Sequence, residues 1–326
     1  DLAASALATQ VSDAIKDPIS FYQNSPELAR IAVMELDYDT LASLWLQYSA
    51  TPGSLLPLLR DLDPYDVARG FDIMAATETQ GVVDLLRAAL ADTANSGEQY
   101  VKDWLLRMLP EWSGTSIKTW YTQVNTDAER DSLAQDLLST FSEYNKAVFL
   151  STLAATDSAR LLDQLDNVED AITILAKIAN SLSAKSAAAI LAALPDLKAS
   201  QWLLSMEQAL QQQLLSAMEA IRGARILDKL DTDEAINQLE SLTIPSAADI
   251  LANMNTAVSI LSRKLSDPIA AKWLAAMKPK EAAHLLDQMD AEEAAQIVAK
   301  LKPDQQRLIF AEMNDPQAIK DILKNS

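Results

Sequence analysis

The chain has 326 residues, of which 49% are hydrophobic and 22% charged, so it can bury a large core and has no compositional reason to be disordered. The absence of cysteine excludes disulfides, thiolate catalysis and cysteine-based metal sites, and a single histidine leaves little scope for imidazole chemistry. A formal net charge of −19 repels polyanions, so neither nucleic acid nor an anionic membrane surface is an expected partner.

Only 6 glycines and 12 prolines occur, a balance that favours helices and predicts few or no strands. The longest apolar run, residues 187–194, is an octet, so no membrane insertion is predicted. The chain starts at Asp1 rather than methionine, which indicates that an earlier segment was removed. We expect a cytoplasmic protein, with a periplasmic or secreted location as the alternative.

Aromatic residues divide the chain into two predicted regions, because all but three of them precede residue 150. Residues 1–150 are predicted to form an aromatic-rich, irregular helical region. Within it, Trp104, Trp112 and Trp120 are candidate anchors for a protein partner, since buried aromatics dominate binding hot spots. The alternative is that these rings fill a thick core, where large aromatic side chains are usually found.

Residues 151–326 are predicted to be a regular array of short helices, because an apolar residue recurs every 12 positions. The series slips by one residue after Met254 and otherwise comprises Leu194, Met206, Met218, Leu230, Leu242, Met254, Leu265, Met277, Met289, Leu301 and Met313. Prolines and acidic residues that favour helix starts follow many of them. Isolated helices this short are marginal in water and must stack. The predicted fold is an all-α, armadillo-like superhelical solenoid of short antiparallel helices.

The segment from Asp267 to Asn314 carries a recurring pattern, clearest at Met277-Lys278-Pro279 and the Ala-Ala and Leu-Leu pairs that follow. This pattern resembles the MgtE intracellular N-domain superfamily, which includes the N-domain of MgtE magnesium channels, the middle domain of the flagellar switch protein FliG and the flagellar chaperone MotE. A weaker likeness extends back to about residue 182. The resemblance implies a bacterial superhelix that docks another protein or domain, and in MgtE one modulated by magnesium.

Glu281, His284 and Asp287 are spaced three apart and would share one helical face, and Glu-x-x-His is one half of a carboxylate-bridged di-iron site. They are weak candidate metal ligands. The competing interpretation is an ordinary surface histidine, because the equivalent positions of the next two repeats are Gln296 and Leu308.

Three acidic clusters are further candidates for Mg²⁺, which prefers carboxylate oxygens. They are Glu35, Asp37 and Asp39; Asp61, Asp63 and Asp66; and Asp231, Asp233 and Glu234. Helix capping explains the same residues without a metal.

The sequence therefore predicts a noncatalytic scaffold for protein–protein interaction, associated with a flagellar motor or a transporter. It is not expected to be an enzyme or to need a cofactor, although Mg²⁺ is an open possibility. The alternatives are a magnesium-responsive regulatory module and a hydrolase with paired carboxylates in a cleft between the two regions.

Overall fold

The chain is all-helical in a computed structural model, which confirms the predicted fold class. The structure describes residues 22, 24–34, 36–48, 58–59, 61–77, 79–96, 107–108, 112, 114–123 and 127–325, and no strand occurs among them. Two compact units divide the chain, Asp1–Leu165 and Asp166–Ser326. The division falls after the change in aromatic content near residue 150, because the helix Ala155–Asp163 packs with the first unit.

The first unit contains eight described helices of uneven length. They are α1 (Pro26–Met34), α2 (Tyr38–Tyr48), α3 (Pro64–Thr77), α4 (Thr79–Ser96), α5 (Gly114–Gln123), α6 (Asp127–Thr140), α7 (Glu143–Thr152) and α8 (Ala155–Asp163). Trp45 in α2 meets Phe71 in α3 edge to face, with ring centroids 5.8 Å apart. Gly70 allows this close approach, since a Cβ there would lie 1.9 Å from the Trp45 ring.

The second unit begins with α9 (Val168–Ile178), which runs through a π-helical turn (Ala179–Ser183) into α10 (Ala184–Ala193). Gln213 Nε2 donates to the Ala179 carbonyl at 3.2 Å, so this turn has an external partner. Within the described residues, 168–193 is the one helix long and apolar enough to cross a membrane, but 44% of its apolar window is buried inside the protein. A core helix meets the same criteria, so this is weak evidence for a membrane span.

The remaining helices of the second unit are short and follow one another closely. They are α11 (Asp196–Ser205), α12 (Gln208–Ala217), α13 (Ala220–Leu227), α14 (Thr232–Ser241), α15 (Ile244–Leu251), α16 (Ala257–Arg263), α17 (Pro268–Ala276), α18 (Pro279–Gln288), α19 (Ala291–Val298), α20 (Pro303–Glu312) and α21 (Pro316–Asn325).

The apolar residues of the 12-residue series, here called break residues, mark where these helices end. Most are the C-cap itself, in an extended conformation; Leu194, for example, has φ −68° and ψ 159°. Its N–H donates to the Leu191 carbonyl at 3.2 Å, which closes the last turn. In α13, α15 and α19 the C-cap comes two residues before the break residue.

Packing in the second unit joins each helix from α10 onward to the helix two places later. In most of these helices the buried side chains lie at positions 5, 6, 8 and 9 after a break residue, as Ala282, Ala283, Leu285 and Leu286 do after Met277. Position 5 is usually small because it faces position 8 of the second-next helix: a Cβ on Gly223 would lie 3.2 Å from Ile250 Cδ1. This is the stacking that the short helices require, and its superhelical twist stays a prediction.

Candidate functional site

Two glutamines in the second unit occupy core positions of the repeat. Gln238 in α14 lies at position 8 after Leu230, where the other full 12-residue repeats have Ile, Leu or Trp. Gln211 in α12 lies at position 5 after Met206, where most repeats have Ala or Gly. Each side chain is only 7% exposed. Gln211 at position 5 contacts Gln238 at position 8, just as Gly223 at position 5 contacts Ile250 at position 8. A hydrogen bond between two amides thus takes the place of an apolar contact.

The hydrogen bonds of this amide pair have a fixed direction. Gln211 Nε2 donates to the Met206 carbonyl at 2.8 Å, and that carbonyl can only accept. Gln211 Oε1 therefore faces Gln238 and accepts from its Nε2, also at 2.8 Å. Because the two hydrogen bonds run in this direction, Gln238 Oε1 is left buried without a hydrogen-bond partner.

A glutamine at position 5 has a structural explanation, but the one at position 8 does not. Gln306, at position 5 after Leu301, donates to the Leu301 carbonyl at 3.1 Å, as Gln211 does to Met206. Gln238 makes no such bond to a break residue, and a buried unpaired acceptor costs about 1–3 kcal/mol. Departures of this kind from a consistent repeat tend to mark functional positions.

The amide pair forms part of the wall of a polar groove of about 460 Å³. Its lining consists of Gln208, Gln211, Asn237, Gln238, Glu240 and Ser241. The lining thus combines amides, a hydroxyl and one carboxylate, and Lys264 Nζ contacts the Glu240 carboxylate. The amides and the hydroxyl can both donate and accept hydrogen bonds, so the groove is suited to a polar ligand.

The structure does not bring the predicted metal ligands Glu281, His284 and Asp287 together. Glu281 accepts from Lys278 Nζ at 3.0 Å, and this hydrogen bond raises the pKa of Lys278. His284 Nε2 lies 2.8 Å from Gln288 Nε2. Asp287 Oδ2 accepts from the backbone N–H of Asn314 at 3.2 Å. No group of three or more potential metal ligands occurs in the part of the chain that the structure describes.

Of the three predicted tryptophan anchors, the structure describes the side chain of Trp112 alone. It is 4% exposed, and its ring meets Phe71 edge to face with centroids 5.7 Å apart. This position favours the core alternative for Trp112. Trp104 and the side chain of Trp120 lie outside the described residues.

The acidic clusters contain helix caps. Asp37 Oδ1 accepts from the backbone N–H of Thr40 at 2.7 Å, and this bond holds the pKa of Asp37 below its ordinary value. Asp63 accepts from the backbone N–H of Tyr65 at 2.8 Å. Asp231 forms a capping box at the start of α14. Capping therefore accounts for one acid in each cluster, while Glu35 lies outside the described residues.

The fold and the register define the second unit as an array of short helices. Two overlapping segments of it, residues 172–261 and 255–325, match the family described as the MgtE intracellular N domain. Residues 172–325 are thus similar to this family, which confirms the resemblance seen around residues 267–314. Comparison with curated proteins finds no match.

The two matched segments share a structural device. Asp228, at the end of α13, accepts from the backbone N–H groups of Asn255 at 2.9 Å and Thr256 at 3.1 Å. Asp287 and Asn314 repeat this bond in the second segment with the same separation of 27 residues. The segments overlap at residues 255–261, beside the one-residue slip of the apolar series. The second unit therefore contains two related modules in tandem.

Proposed function

We propose that the protein is a noncatalytic helical-repeat scaffold that binds a protein partner through its second unit. The observation that carries the proposal is the pair of consecutive matches to a family described as an intracellular domain. A cytoplasmic location and an association with a transporter or a flagellar motor follow from the family likeness.

Surface chemistry supports binding at the groove of the first module. Its wall contains buried amides whose burial is costly, whereas the second module has Ala270 and Ile297 at the places of Gln211 and Gln238. A protein that only needed a packed core would gain stability from the apolar pair.

Site-specific photocrosslinking in cells tests this proposal. A benzoylphenylalanine at Asn237, an exposed residue of the groove, is expected to capture a discrete protein adduct. Gln296 is the matched control, because it is exposed and takes the place of Asn237 in the second module. A defined adduct from Asn237 alone supports the scaffold, and its absence at both positions contradicts partner binding by the second unit.

A magnesium-responsive regulatory module is the second candidate, and the charge balance favours it. The chain has 46 acidic against 27 basic residues, so mutual repulsion of carboxylates would be relieved by a divalent cation.

A further inference from the structure

We infer that a small apolar cavity in the first unit binds an apolar side chain from a basic, amphipathic segment of a protein partner. This cavity, here called the α1–α3 cavity, lies between Met34 at the end of α1, Tyr38 at the start of α2 and Asp66 in the first turn of α3. The inference goes beyond the proposed function, because it concerns the first unit and does not depend on the groove of the second.

The first step is the apolar rim of the cavity. Met34 is 56% exposed, and Ile31, one turn earlier on the same face of α1, is 48% exposed. Tyr38 and Tyr65 are also among the large side chains that stay exposed. Isolated apolar residues are common on protein surfaces, but a group of them around a cavity is typical of a binding surface.

The second step is the size and the shape of the cavity. The other side chains that line it are all apolar, namely Val33, Leu36, Leu41 and Leu62. Its volume is about 60 Å³, against roughly 300–1,000 Å³ for sites that enclose a small molecule. The Tyr38 hydroxyl donates to Asp66 Oδ1 at 3.1 Å and thereby ties α2 to α3. The cavity is therefore preformed and suits the end of one apolar side chain.

The third step is the charge around the cavity, where five aspartates lie in or beside its lining. They are Asp37, Asp39, Asp61, Asp63 and Asp66. The structure records no ion pair to them within the residues that it describes, and their hydrogen-bond donors are backbone N–H groups and tyrosine hydroxyls. Capping explains why these aspartates lie there and leaves their negative charge in place.

The nearest described arginines do not offset this charge. Arg30 pairs with Glu27 at 3.0 Å, and Arg69 pairs with Asp72 at 3.2 Å. An apolar anchor flanked by lysine or arginine is thus complementary to the cavity and its surroundings. An anionic lipid surface, or a second copy of this chain with its net charge of −19, would be repelled.

The test is a titration of the full chain, isotope-labelled at its methionine methyl groups and followed by the NMR signal of Met34. The probe is an N-acetylated amphipathic peptide of leucine and lysine, and a leucine and glutamate peptide of the same pattern is its control. We expect a saturable shift of the Met34 signal with the lysine peptide alone. Absence of that shift, or equal binding of the two peptides, overturns the site.

Two variants locate the site. Ile31→Gln removes an exposed apolar side chain from the rim, and it is expected to weaken binding at least ~5-fold with little change in Tm. Ile221→Gln is the matched control, because Ile221 is 57% exposed in α13 of the second unit, and binding should not change. Equal results for these two variants overturn the site, since the peptide would then be attracted to the acidic chain as a whole.

Asp39→Asn removes one carboxylate beside the cavity and keeps the shape of the side chain. It is expected to weaken binding of the lysine peptide ~3-fold, and it keeps the test decisive if Ile31→Gln fails to fold. Unchanged binding overturns the basic character of the partner. Sedimentation of the chain alone tests the other occupant: a dimer that Ile31→Gln dissociates would replace the partner by a second copy and overturn the inference.

The two proposals fail separately. A Met34 signal that does not respond removes the α1–α3 cavity as a docking site, whereas the scaffold is contradicted only by the photocrosslinking result at Asn237 and Gln296.

Discussion

At the residue scale, close approach of helices depends on small side chains at particular positions. Gly70 and Gly223 both lie inside helices and face a large side chain of another helix, but their surroundings differ. Trp45 is fully buried and braced by Phe71, whereas the atom nearest to Gly223 is the flexible end of Ile250.

Gly70→Ala is therefore expected to lower the free energy of unfolding by about 1–3 kcal/mol, because the added methyl would lie 1.9 Å from the Trp45 ring. Urea denaturation followed by tryptophan fluorescence measures this. Gly223→Ala is the control: its contact of 3.2 Å needs only a small shift of Ile250, and alanine favours a helix over glycine by about 1 kcal/mol. Equal losses for the two variants would show that the Trp45 contact is not restrictive.

Roles that depend on neighbouring residues, such as helix capping, could be predicted from the sequence. Roles that depend on which residues of different helices face each other could not. The sequence allows Asp231 to be a cap or a metal ligand, and its bonds to the start of α14 are those of a cap. Gln238 does not belong to any of the carboxylate, histidine or tryptophan patterns that the sequence offers as candidate sites. Its signal was present in the sequence as a polar residue at position 8, but it becomes visible only when the repeats are aligned against burial.

At the scale of elements, the 12-residue period predicted where most helices of the second unit end. The period does not predict the C-cap conformation or the hydrogen bonds at the end of each helix. At the end of α13, the C-cap Asp228 has a helical conformation, and its carboxylate accepts from the backbone N–H groups of Asn255 and Thr256 before α16. The first unit has no such period, and its longer helices, such as α4, were not predictable in the same detail.

Asp228→Ala is expected to reduce stability by about 1–3 kcal/mol, because the backbone N–H groups of Asn255 and Thr256 lose their acceptor. Hydrogen exchange should accelerate first at these two amides. Asp287→Ala is the matched comparison, with a smaller loss expected, since the structure records one bond to it, from Asn314. A larger loss of stability for Asp287→Ala than for Asp228→Ala would contradict the role assigned to Asp228.

At the scale of the whole molecule, the response of the acidic chain to Mg²⁺ distinguishes a scaffold from a magnesium-responsive module. Thermal unfolding with and without millimolar MgCl₂, at matched ionic strength, measures the difference. The scaffold predicts no change in Tm beyond the ionic-strength control. A shift of several degrees, with the concentration dependence of ligand binding, would instead favour the magnesium-responsive module.

Both units are made of helices, but the account of function depends on the stacking of short helices in the second unit. Stability in such an array is a sum of local helices and their interfaces. A cavity in one helix should therefore lower the local stability of the helices that pack against it more than the stability of the chain as a whole.

Hydrogen exchange of the full chain carrying Ile250→Ala tests this most directly. Ile250 is 2% exposed in α15, and its loss creates a cavity worth about 2–5 kcal/mol. The account predicts that protection falls most in α15 and in its partners two places away, α13 and α17. A loss confined to the sequence neighbours α14 and α16, or spread evenly over residues 166–326, would contradict the stacked array.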